Sequence, residues 1–228
     1  MGRFFDMDSP VMRFLNRMGD LMILNILMII CCIPVITVGA AYTAMHYVLL
    51  KMVRDREGYL IRGFFKSFVQ NFKQATLIWL LMLLVIAVYV GDILIFNYSG
   101  IVFPKGVVIA VLAIAILLLM VAVYVFPLQS RFENKIRHTL KNALMLAIIN
   151  LPKTILMLVY YALPLVICYF SSYALVFMIL FGISLPAYGA AWIYSGIFKK
   201  LEPETEEEVV DDMSFSLQMD GGNEEADG

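Results

Sequence analysis

QSRFENKIRHTLKNA, residues 129–143, is a polar interruption in a chain that is otherwise mostly apolar. Arg131, Lys135, Arg137 and Lys141 make it basic. Phe132, Ile136 and Leu140 recur every fourth residue, which predicts a helix with one apolar face. Glu133 stands four residues before Arg137, the favourable acid-first order on a helix surface. A basic amphipathic helix between two apolar runs belongs on the inner face of a membrane. The stretch therefore sets which side of the chain is which.

Working outward, the composition agrees. The chain has 228 residues, of which 62% are hydrophobic and 15% charged. A soluble domain of this size carries about 25% charged residues. The apolar residues lie in long uncharged runs, so the fold class is all-α: a polytopic transmembrane helical bundle. Continuous runs exclude a transmembrane β-barrel, which alternates over short segments. The formal charge of −1 conceals an asymmetry, because 11 of the 18 acids fall in residues 202–228 and none of the bases do. That acidic, non-periodic tail is expected to be disordered and cytoplasmic.

The N-terminal segment, 1–18, mixes Phe4, Phe5, Phe14 and Leu15 with charges and reads as interfacial, with Ser9-Pro10 as a helix start. No cleavable signal peptide is expected. Leu21–Leu50 is an uncharged run of 30 residues interrupted by Pro34. It reads either as one kinked helix or as two helices joined at Pro34–Val38. Residues 52–74 form a second basic elbow, in which Phe65, Phe68, Phe72 and Ala75 fall at helical spacing. The bundle occupies 19–201, with spans at about 19–33, 39–54, 76–96, 107–128, 154–170 and 173–198. Residues 143–150 read as the end of the elbow helix or a half-buried turn.

Six spans with the N-terminus inside place sixteen of seventeen bases at the inner side and only Lys105 outside. Five spans are the alternative, and both put the C-terminus inside. Two pairs of segments are similar, NFKQATLI (71–78) with TLKNALML (139–146), and PVITVGAAYTA (34–44) with PAYGAAWIYS (186–195), which suggests internal duplication.

Candidate functional residues are few. Asp92 is an acid near the outer end of the third span, where a charge marks an ion or proton path or a hydrated boundary position. His46, in the second span, is a proton-relay candidate or a hydrogen-bonded interior histidine. Asn25, Asn150 and Thr43 are expected to bond between helices, and Ala187, Ala191 and Ser195 form a small-residue stripe suited to close packing or to a partner helix. Asn97-Tyr98-Ser99 fits a glycosylation sequon. Cys31, Cys32 and Cys168 lie in apolar runs with no metal or disulfide spacing. No P-loop, HExxH, G-x-S-x-G or dinucleotide turn is present, so no cofactor and no enzymatic activity are expected.

IPVITVGAAYTAMHYVLLKMVR (33–54), FFKSFVQNFKQATLIWLL (64–81) and YVFPLQSRFENKIRHTLKNALMLAI (124–148) resemble the YesL family of small bacterial membrane proteins, a family of unknown function. The resemblance covers roughly residues 10–200 and leaves out the acidic tail. It implies a multi-pass plasma-membrane protein that works beside carbohydrate import, as an accessory or regulator of an ABC permease. It names no catalytic residue. Lys73 and Arg131 lie within its motifs and join Asp92 and His46 as candidates. The partners implied are the bilayer, anionic lipid headgroups at the basic elbows and a permease, with no nucleic acid. A small solute or ion transporter or channel is the alternative.

Overall fold

Pro34 decides where the first two helices part. In the computed structural model, which describes residues 10–54, 59–98, 104–132, 135–170 and 174–202, α1 runs Pro10–Cys31 and α2 runs Val38–Val53. Pro34 separates them in extended backbone, φ −77° and ψ 116°, ahead of a short 3-10 turn at Val35–Thr37. Proline lacks the N–H a helix needs and disfavours the helical conformation just before it. The two-helix reading of Leu21–Leu50 is therefore the observed one. The N-terminal elbow is not separate from the first span, because α1 begins at Pro10 and carries straight on.

The basic elbow before the third span is likewise continuous with it. α3 runs Leu60–Tyr98, 39 residues, or about 58 Å at 1.5 Å per residue. No proline falls within it, so nothing stops the helix between its polar and apolar halves. Its buried face is Phe64, Ser67, Ala75 and Ile78. Of the four residues at helical spacing, Phe65 and Phe72 are exposed, Phe68 is half-buried and Ala75 is buried. α4 spans Lys105–Arg131 with Pro127 inside it.

The stretch 129–143 is not a single helix. α4 ends at Arg131, Phe132 is extended, and α5 runs Ile136–Ile149. Phe132 therefore does not share a helix face with Ile136 and Leu140, and Glu133 lies outside the described residues. α6 follows at Leu151–Phe170, with Pro164 inside. The last span is broken into α7, Ala174–Phe181, and α8, Ser184–Phe198. Among the described residues five helices are long and apolar enough to cross a membrane, namely Val11–Cys31, Val35–Val53, Leu60–Phe96, Lys105–Arg131 and Leu151–Phe170. α7 and α8, with 8 and 15 residues, are each too short to be counted with them. No strand occurs among the described residues.

The chain divides into two units, Met1–Tyr194 and Ser195–Gly228. Within the first, α2 is the central helix, packed mainly on α3 and then on α4, while α5 packs on α4 and α1 on α7. Gly39 permits the closest approach. A Cβ there would lie 2.6 Å from Trp79 Cβ and would also collide with the Ala75 carbonyl. In the second unit the chain turns after α8, with Leu201 N–H on Phe198 O at 2.8 Å. The acidic tail beyond Glu202 lies outside the described residues.

The similar segments have similar packing roles. Ala75 and Ala143 are both buried, as are Ile78 and Leu146. Asn71 and Thr139, at matching positions, both meet Gln129. Its Nε2 donates to Asn71 Oδ1 at 3.2 Å, and its Oε1 accepts from Thr139 Oγ1 at 3.4 Å. Gln129 thus joins α3, α4 and α5.

Candidate functional site

The described residues that carry unusual chemistry gather around α2. His46 is fully buried. Its Nδ1 lies 3.0 Å from the Tyr194 hydroxyl. Its ring stands edge-on to Tyr42, centroids 4.6 Å apart, and Tyr42 in turn stands edge-on to Phe126 at 5.3 Å. Such T-shaped pairs are the favoured aromatic geometry. His46 Nε2 is buried with no hydrogen-bond partner. A buried polar atom in that state is costly, about 1–3 kcal/mol, and is rare in folded proteins. With Nδ1 held by Tyr194, Nε2 is left as a polar group with nothing to bond.

Tyr161 on α6 stands beside Tyr42 and Tyr194, and its hydroxyl is also buried without an aligned partner. The Tyr161 ring lines a cavity of about 430 Å³ with Ile29, Leu165, Met178, Gly182 and Pro186. This cavity lies at the break between α7 and α8.

Asn25 holds that break open. In an uninterrupted helix the Ile183 N–H would bond the Ile179 carbonyl. Here the Asn25 side chain stands between them. Its Oδ1 accepts from the N–H groups of Ile183 and Ser184, each at 2.9 Å. Its Nδ2 donates to Ile179 O at 2.7 Å and Met178 O at 3.3 Å. Gly182 makes the tight turn possible, since a Cβ there would fall 2.6 Å from Met178 O. A polar interruption at membrane depth requires such internal satisfaction.

Of the three residues expected to bond between helices, Asn25 alone does so in this way. Thr43 Oγ1 donates to Gly39 O within its own helix at 2.9 Å, and Asn150 Nδ2 donates to Leu146 O at 3.2 Å. A short polar side chain in a helix readily bonds the preceding turn. Ala187 and Ala191 are fully buried, so that part of the small-residue stripe serves internal packing.

The four candidates do not converge. α2 and α3 are antiparallel, with Gly39 against Ala75–Trp79 and Gly63 near Tyr47 and Val48. His46 is seven residues beyond Gly39 and Asp92 thirteen residues beyond Trp79 along their antiparallel helices, so they are about 30 Å apart. Asp92 is half-buried on α3. Lys73 is exposed and Arg131 half-buried, both close in sequence to the Gln129 junction. Cys31, Cys32 and Cys168 are unpaired, and no group of three metal-ligating side chains occurs among the described residues. Sequence reasoning found His46 but missed Tyr42, Tyr161, Tyr194 and Gln129. No spacing connects residues 42, 161 and 194, and tyrosine is common in apolar spans.

The class these features define is a polytopic α-helical membrane protein with a broken last span and a buried polar centre. The family model described as "Protein of unknown function, DUF624" matches residues 21–93, from α1 through most of α3. No curated protein and no solved structure matches the chain significantly.

Proposed function

We propose that the protein is a non-enzymatic accessory of a membrane transport system, which it joins through the outer halves of α3 and α4. One observation supports this most directly. From Leu81 to Phe96 α3 is exposed or half-buried, and α4 is so from Lys105 to Leu119. The two helices touch each other sparsely, with Tyr89 donating to Val111 O at 3.2 Å. An apolar hairpin this little covered by its own chain offers two faces to neighbouring helices in a bilayer. The YesL resemblance supports the choice of partner, a carbohydrate ABC permease. The exposed Lys73 and the half-buried Arg131 are suited to anionic headgroups at the inner face.

The test is crosslinking in native membranes. Photoreactive residues at Leu84 and Leu112, 63% and 61% exposed, are expected to capture a permease subunit in cells grown on the inducing sugar. A chain that purifies alone in mild detergent, with no crosslink at either position, overturns the proposal. A second reading, solute transport by this chain itself, is favoured by the unpartnered Nε2 of His46. Liposome flux abolished by His46→Leu supports that reading, and no flux above that of protein-free liposomes removes it.

A further inference from the structure

The turn between α1 and α2 has the chemistry of a membrane interior. No charged residue lies between Asp20 and Lys51. Ile33, Val35 and Ile36, in and beside the turn, are 77%, 61% and 56% exposed. In water each would forfeit about 25 cal/mol for every Å² of apolar surface left uncovered. A turn on an aqueous surface also has its free carbonyls bonded by water. Here the protein caps them. The Thr37 hydroxyl, with one proton to give, lies against Cys31 O and, at 2.7 Å, Pro34 O, and Pro34 O also accepts from the Thr37 N–H at 3.0 Å. Trp79 Nε1 reaches across from α3 to Val35 O at 2.8 Å.

Trp79 also sets the depth of the turn. From Trp79, α3 continues to Tyr98, about 28 Å further at 1.5 Å per residue. The charge-free part of α3, Gln74 to Gly91, is about 27 Å long, close to the roughly 30 Å thickness of a bilayer's hydrocarbon. Asp92 is the sole charge between Trp79 and Tyr98, while Arg62, Lys66 and Lys73 all lie on the other side of Trp79. Trp79 lies about 8 Å into that charge-free part, so the turn bonded to Trp79 is inside the apolar layer and stops well short of the outer surface. The other end of the hairpin is polar, with Arg17 donating to the Met52 carbonyl and to Tyr188 Oη at 3.1 Å.

We propose that α1 and α2 form a re-entrant hairpin. The chain enters from the side bearing Arg17, Lys51 and Arg54, turns inside the hydrocarbon and leaves on the same side. Ile33, Val35 and Ile36 at its tip rest against lipid acyl chains. Irregular backbone at this depth must be satisfied from within, which is what Thr37 and Trp79 do for the carbonyls of Cys31, Pro34 and Val35. Both ends of the hairpin lie on one side, so the sidedness of all later helices is the same as with two full crossings.

The test uses the full chain with Cys31, Cys32 and Cys168 changed to serine. Val35→Cys and, separately, Lys105→Cys are exposed to a membrane-impermeant maleimide in intact cells and in inverted vesicles. Lys105→Cys is expected to label in intact cells, and Val35→Cys in neither preparation. A bimane attached to Val35→Cys in detergent, then reconstituted in phosphatidylcholine–phosphatidylglycerol vesicles, is expected to be quenched most by mid-chain doxyl lipid. Because the triple-serine background could misfold, the same labelling is repeated on a Cys168→Ser chain, whose Cys31 and Cys32 adjoin the tip. Labelling of the tip in intact cells overturns the proposal by placing it at the outer surface. Labelling only in inverted vesicles also overturns it, by placing the tip in water on the inner side.

Discussion

Replacing Asn25 with leucine removes one side chain from α1 and strands four backbone groups on α7 and α8. Leucine is similar in size, so the perturbation is polar rather than steric. Three of the lost bonds are well formed, at 2.7, 2.9 and 2.9 Å, and a fourth is long at 3.3 Å. Hydrogen bonds between membrane helices measure about 0.6 kcal/mol on average and about 1.7 at most. Three such bonds predict a loss of about 2–5 kcal/mol, which also covers the penalty of leaving buried backbone groups unpaired. At 1.4 kcal/mol per decade this is a shift of roughly 30-fold to several thousand-fold in the unfolding equilibrium. The assay is reversible unfolding in mixed detergent micelles, with Asn150→Leu as the comparison. Asn150 bonds only within its own turn, so its loss should be about 0.6 kcal/mol or less. If the two variants lose equally little, the four Asn25 bonds do not stabilise the break between α7 and α8, and the reasoning fails.

Other outcomes follow from the same packing. Gly39→Leu should destabilise by about 1–3 kcal/mol or more, because its Cβ meets the Ala75 backbone and Trp79 Cβ at 2.6 Å, and overpacking of that kind has little room to relax. Gly189→Ala meets the side of the Tyr160 ring at 3.0 Å, which can turn aside, so thermal unfolding should rank it well below Gly39→Leu. Gln129→Leu should cost about 1–2 kcal/mol and make Lys73 and Lys141 more reactive to amine labels, since α3 and α5 lose their shared tie to α4. A double-mutant cycle of His46→Leu and Tyr194→Phe should give a coupling of about 1 kcal/mol; a coupling near zero would mean that the 3.0 Å contact is not a hydrogen bond that matters to stability.

Much of this protein is legible in one dimension because hydropathy and charge act locally. The uncharged run from Leu21 to Leu50 and the interruption at Pro34 both followed from residue type. Where sequence reasoning failed, neighbours along the chain gave no clue. Gln129–Ala143 has the spacing of one amphipathic helix, yet the chain is extended at Phe132, while Leu60–Tyr98 changes from basic to apolar and never breaks. Helix periodicity records which faces could be buried, and it does not record where a helix stops when no proline intervenes.

The sequence by itself determined the solvent, which is lipid, the helical class of the fold and the concentration of bases along one set of loops, because transfer free energies accumulate residue by residue. Only the tertiary structure decided which polar groups meet. Asn25 fills a gap more than 150 positions away, His46 finds Tyr194 nearly as far along, and Gln129 binds two similar segments at once. In hydrocarbon there is no water to satisfy a stray donor or acceptor, so those partners are set by how the helices pack.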